Sequence, residues 1–201
     1  MVKRMTETTE KANAKHEAIL RAAQALFRDH GVHKSSVEEI CEKAKVSKMT
    51  FYKHFENKTT VAISVLERVI ETNLKRYNEM MKDKTGFEEK VSALFEFKLS
   101  QIDKIGAKFI EDIINMHEIR DYFKGRQQEN AKIAMDLFKI GQNEGKVRKE
   151  IDQEYFMILT DVFTRLYTEP GFQKLFPDPH KRMEELLQLM LYGISDPNGG
   201  G

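Results

Sequence analysis

Apolar residues recur along this chain at three- and four-residue spacing, the period of an α-helix with one face turned inward. The first such stretch carries Ile19, Ala22, Ala23, Leu26 and Phe27, and Gly31 stands where a helix ends in the left-handed conformation. Ser36-Val37-Glu38-Glu39 is a capping box, which predicts a second, short helix with Val37, Ile40, Cys41 and Ala44 as its buried stripe. Val46-Ser47 breaks the pattern. Ser47 then caps a third helix that runs to Phe55, with Phe51 and Phe55 four residues apart on one face. Asn57 opens a long fourth helix from Lys58 to about Lys82. Three short helices with a tight turn between the second and third are a helix-turn-helix layout.

The same period continues to the end of the chain. Thr85-Gly86-Phe87-Glu88 is another capping box, ahead of an inner face made by Phe87, Val91, Leu94, Phe95 and Ile102. A shorter helix follows over about 107–117, and a long one over about 121–143 that stops at Gly145. Asp152 caps a helix bearing Tyr155, Phe156, Leu159, Phe163 and Leu166. Pro170-Gly171 interrupts, and Asp178-Pro179 starts a last helix. No strand-like alternation is found, so the expected fold is all-α with about nine helices: an N-terminal three-helix DNA-binding domain followed by a helical bundle. Residues 1–14 are polar without periodicity and predict a flexible arm. The helix-turn-helix domain is expected over 15–60, the bundle over 61–195 and a flexible tail over 196–201.

Composition narrows the class. Hydrophobic residues make up 40% and charged residues 32%, which excludes a disordered chain. No apolar run approaches the ~18 residues of a membrane span, and the first residues lack the apolar stretch of a signal peptide, so a cytoplasmic protein without membrane contact is expected. Cys41 is alone and falls in an apolar stripe, which predicts a reduced core thiol. Net charge is +1, but its distribution is uneven: residues 1–60 carry 12 basic against 8 acidic side chains, the remainder 21 against 24. A basic head on an acidic body suits a polyanionic partner. There is no nucleophile-base arrangement, no phosphate-cradling glycine loop and no set of metal ligands, so an enzyme, a cofactor and a metal are not expected. His30 and His33 stand alone, with Gly31 breaking the helix between them.

On the third helix Phe51 and Phe55 point inward, which leaves Ser47, Lys48, Thr50, Lys53 and His54 on the outer side with Tyr52 at the flank. Such a face of donors and cations suits a major groove about 12 Å wide. The run Val46-Ser-Lys-Met-Thr-Phe-Tyr-Lys-His-Phe-Glu-Asn-Lys58 resembles the signature of the TetR family of bacterial transcriptional regulators, with Tyr52, His54, Phe55 and Lys58 matching in type and spacing. The resemblance implies that Lys48, Met49 and Thr50 meet base edges, and that Tyr52, His54 and Lys58 donate to phosphates. Met49 departs from the small residues or proline frequent in the family, so either the methionine touches a thymine methyl or the helix sits slightly farther out, which leaves base preference open. Ser35 and Ser36, at the start of the second helix, are candidate phosphate donors across the groove.

Regulators that resemble this family bind a double-stranded operator as homodimers joined by their last two helices. The final helix here has a broad apolar stripe, Met183, Leu186, Leu187, Met190, Leu191 and Ile194, and Leu187, Met190, Leu191, Ile194 and Met183, with Phe163 from the preceding helix, are the candidate interface. The family resemblance further implies a small-molecule effector enclosed by the fourth to seventh helices. Candidate lining residues are Phe95, Phe109, Met116, Tyr122, Phe138 and Phe163, with Asn115, His117 and Asp161 as polar groups to orient the ligand. The competing reading is a helical protein-interaction module that binds no DNA.

Overall fold

A computed structural model describes residues 2–125 and 127–194, with side chains over 12–122 and 132–194. They form eleven helices: α1 (Val2–Lys34), α2 (Val37–Ala44), α3 (Lys48–His54), α4 (Lys58–Lys82), α5 (Phe87–Ile105), α6 (Ala107–Asn115), α7 (His117–Gly125), α8 (Gln127–Asn143), α9 (Gln153–Thr168), α10 (Pro170–Leu175) and α11 (Pro179–Ile194). No extended strand occurs among the described residues. The excess over nine helices has two sources. The stretch expected as one helix over 121–143 belongs to α7 and α8, and Pro170, expected as an interruption, instead starts α10. Proline has no N–H to lose at the first helical position, and the Glu169 carboxylate caps this helix by accepting from Phe172 N at 2.6 Å. Helix α1 also runs through residues 2–14, expected as an arm, while the expected tail lies outside the described residues.

The helices gather into two compact units, Met1–Thr72 with Lys104–Phe123, and Asn73–Asp103 with the chain from Lys124 onward. In the first, Ile19, Ala23, Phe27, Val32, Ile40, Phe51 and Val61 are fully excluded from solvent. Burial of each large side chain contributes roughly 1.5–3 kcal/mol. This unit reaches past the expected head because α6 closes onto α1. Phe109 packs its ring 5.5 Å from that of Phe27, Lys108 Nζ donates to Asp29 O at 2.7 Å, and the Asp112 carboxylate accepts from the amides of Val32 and His33. Those amides are free because Gly31 (φ 80°, ψ 169°) interrupts the helical ladder of α1. Gly106 enters α6 with φ 88°, and a Cβ there would stand 2.4 Å from Arg28 O.

The second unit is built on Phe87, Phe138, Val147, Ile151, Phe156 and Ile194, with the Phe138 and Phe156 rings stacked at 4.3 Å. Gly141 lets α8 approach closely, since a Cβ would lie 2.5 Å from Val147 Cγ2 and 2.7 Å from Phe87 Cε2. At the start of α5, where a local capping box is expected, the Phe87 amide instead donates to Glu144 at 2.8 Å, and Thr85 Oγ1 takes a long bond from Lys90. Asp152 caps α9 as expected, accepting from Tyr155 N at 2.7 Å.

Candidate nucleic-acid interface

The turn that presents α3 is set by its two caps. Helix α2 opens on the expected capping box, in which Ser36 Oγ accepts from Glu39 N at 3.1 Å while Glu39 Oε2 accepts from Ser36 N at 2.7 Å. It closes on Lys45 in the left-handed region (φ 55°), with Lys45 N and Val46 N returned to the carbonyls of Glu42 and Cys41. Ser47 then caps α3, accepting from Thr50 N at 3.1 Å and bonding the Thr50 hydroxyl at 3.0 Å. Phe51 and Phe55 fill the core behind the helix, and this anchoring fixes which face looks out.

That outer face carries Lys48, Met49, Tyr52 and Lys53 exposed, with Thr50 and His54 half-buried beside them. Met49 at 73% and Tyr52 at 56% exposure are large apolar bodies left in water on a helix whose other face is completely buried. Tyr52 is held edge-on against Phe51, centroids 5.3 Å apart, so its hydroxyl is directed by a fixed ring. Lys48 forms an ion pair with Glu38 of α2, which holds the lysine ammonium above and the glutamate carboxyl below their ordinary values through their shared hydrogen bond. Both side chains are exposed, so the pair braces α3 against α2 and is readily given up to a stronger anion.

The serines and Lys58 are placed differently from the phosphate-donor expectation. Ser35 is buried and gives its hydroxyl proton to Gly31 O at 2.7 Å, while Ser36 gives its own to Glu39 at 2.8 Å. Lys58 Nζ donates to Ser35 O at 2.6 Å and His33 O at 3.3 Å, tying the first turn of α4 to the segment between α1 and α2. Two partners of the site, Glu38 and His16, carry no local sequence signal, because each meets its residue on another helix.

His16 stacks on Phe55 at 4.7 Å and meets the His54 ring at 5.7 Å. Burial, then the positive charges of His16 and Lys15, push the His54 pKa below its ordinary value. His54 is therefore neutral at pH 7 and retains one ring N–H to donate. A histidine whose folded value lies below its unfolded value of about 6.5 destabilises the fold as pH falls through that range, because the unfolded chain takes the proton more readily. Thermal melts at pH 7.5 and 5.5 should show a larger loss for the wild type than for His54→Gln. Equal losses would remove His54 as the cause.

In the body, Phe109 belongs to the core of the first unit and Phe138 to that of the second, while Phe95, Met116, Tyr122 and Phe163 are half-buried. The polar candidates do not converge: Asn115 and His117 are exposed, with His117 Nε2 3.2 Å from Asp121, and Asp161 pairs with Arg165 at 2.9 Å on the outside of α9. Along α11, Leu187 and Ile194 face their own core, whereas Leu189 and Tyr192 are exposed at 61% and 82%. On α9, which packs beside α11, Tyr155, Ile158 and Val162 are exposed at 50%, 55% and 42%. This second apolar face was missed because Leu189 and Tyr192 lie outside the dominant stripe. Apolar residues on the wrong side of an amphipathic helix are the signal that finds it.

Residues 19–65 match the model of the bacterial regulatory proteins of the tetR family, a span that holds the end of α1, all of α2 and α3 and the start of α4. The likeness to the TetR family is carried by this segment, the helix-turn-helix and its flanks. It is 22% identical to the HTH-type transcriptional repressor KstR2 of Mycolicibacterium smegmatis over 96% of this chain and 97% of that one. The fold is that of reduced NemR of E. coli (TM-score 0.68, 15% identity, 90% of this chain and 97% of that one) and of SmeT of Stenotrophomonas maltophilia in its triclosan complex (TM-score 0.68, 18% identity, 94% and 95%). No described helix is long and apolar enough to cross a membrane.

Proposed function

We propose that this TetR-family chain is a cytoplasmic, non-enzymatic repressor that binds a palindromic operator as a homodimer and leaves it when a small apolar ligand occupies its helical body. The observation that carries the reading is the outer face of α3, where Met49 and Tyr52 stand exposed among Lys48 and Lys53 over a closed aromatic core. Lys48, Met49 and Thr50 at the start of the helix read base edges, while Tyr52, Lys53 and His54 hold phosphates. The exposed apolar face of α9 and α11 supplies the surface on which a second copy docks, and two copies set two recognition helices one helical turn of DNA apart, roughly 34–36 Å. SmeT, of the same fold, holds triclosan, an observation that favours a small organic effector here.

Fluorescence polarisation on DNA from upstream of its own gene tests the reading. Binding is expected to weaken steeply with salt, as phosphate contacts require. Tyr52→Ala should cost roughly 10-fold on every sequence alike, whereas Thr50→Ala should also change base preference. Binding that ignores both salt and Tyr52→Ala would return the chain to the protein-interaction reading.

A further inference from the structure

Two imidazoles meet where α1 passes beside the end of α3. The His16 ring stacks on Phe55, with centroids 4.7 Å and planes 20° apart, and meets the His54 ring at 5.7 Å and 62°. Phe55 is a core residue, so it fixes the place of His16, and His16 in turn bounds one side of His54. Both histidines are half-buried, and neither has a hydrogen bond or ion pair among the described residues. Their ring nitrogens are uncommitted within the protein.

No carboxylate pairs with them. On α1, Lys15 is exposed beside His16, and Glu17 is held by Arg68 of α4 at 2.8 Å. On α2, Glu38 pairs with Lys48 and Glu39 with Ser36, at the other end of α3. Lys53 before His54 and Glu56 after it are exposed, and Lys58 of α4 is turned to the carbonyls of His33 and Ser35. Burial first, then the charges of His16 and Lys15, keep the proton off His54 in the free protein. A DNA phosphate beside the rings reverses that balance, because it favours the imidazolium and offers its N–H an acceptor.

We propose that His16 is a positioning residue for the phosphate contact of His54, and that this pair takes up one proton when DNA binds. This rests on the reading of α3 as the DNA-binding helix and adds a proton to its contact. Affinity then rises as pH falls, by at most about tenfold per pH unit for one proton. Phosphates supply the charge, so a random duplex gains by the same factor as the operator. Fluorescence polarisation of the full chain at constant salt, from about pH 8 to about pH 6, tests this on DNA from upstream of its own gene and on a random duplex. The wild type should gain roughly 5- to 20-fold on both between about pH 7.5 and about pH 6. His54→Gln should bind more weakly and gain no more than about twofold. His16→Phe keeps the stack on Phe55 without the charge, and should move the midpoint of the rise up by about half a pH unit. His16→Arg, a fixed charge that also stacks, should move it down by as much. Midpoints that shift the same way in both variants, or in neither, would overturn the role of His16. A rise that survives His54→Gln, or wild-type binding that is tight but flat with pH, would overturn the proposal and leave α3 as the DNA-binding helix. Binding to neither duplex at any pH would overturn both readings.

Discussion

Ile158→Glu combined with Tyr192→Glu should turn the protein into a folded monomer in sedimentation and cut its affinity for a full palindromic operator by roughly 10²–10⁴-fold. Both side chains are more than half exposed, so a charge at either meets water in the single chain and the helical signal and melting temperature should hold. In a dimer the same charges would be buried against an apolar face, which costs several kcal/mol. The loss on DNA follows from linkage of the two heads: once one half-site is held, the second binds at an effective concentration of about millimolar, and separate monomers forfeit that gain. Affinity for an isolated half-site should be unchanged. A double variant that still sediments as a dimer would move the interface off α9 and α11. Leu187→Glu is not a substitute, because Leu187 is 6% exposed and the change would disturb the core of its own subunit.

Gly106→Ala should lower the melting temperature by roughly 5–15 °C, and by more than Gly145→Ala, which should lower it by about 2–8 °C. Both glycines have positive φ, 88° and 71°, so each alanine incurs the left-handed penalty of about 1–2 kcal/mol. They differ in what a Cβ would meet. At Gly145 there is nothing within 4 Å, but at Gly106 the new atom lies 2.4 Å from Arg28 O and 2.8 Å from Arg28 Cα. These are backbone atoms and cannot swing aside, so α6 must move away from α1. That movement would pull on Lys108 and Asp112, which hold the end of α1, and through them on the segment that Lys58 ties to α4. Operator affinity should therefore fall for Gly106→Ala, measured below its melting temperature, and hold for Gly145→Ala. Equal effects of the two alanines would show that conformation alone, and not the close approach of α6 to α1, is what Gly106 provides.

Helix α10 shows where the limits of sequence reading lie. Its Pro170-Gly171 pair reads as an interruption, and only the position of proline at the first turn, with Glu169 turned to cap it, makes it a start. The start of α5 is similar: the local capping box was legible, but Glu144, far along the chain, holds the Phe87 amide. Helix α3 was readable nearly residue by residue because its caps and its Phe51–Phe55 pair are local, set by spacing within a few residues. The inner and outer sides of α11 were not. Six apolar positions in one stripe do not say which of them face their own core, and the stripe drew attention away from Leu189 and Tyr192.

The sequence alone therefore determined the helical class, the capped turn between α2 and α3, the side of α3 that faces outward and the likeness of residues 19–65 to the TetR family, since each rests on residues a few positions apart. Tertiary structure decided the rest. It assigned Ser35, Ser36 and Lys58 to bracing the head, gave Lys48 its partner Glu38, and joined α6 to the first unit through Phe109, Lys108 and Asp112. Those outcomes depend on groups brought together from distant parts of the chain, and whether a side chain is buried, paired or exposed is a property of all its neighbours at once.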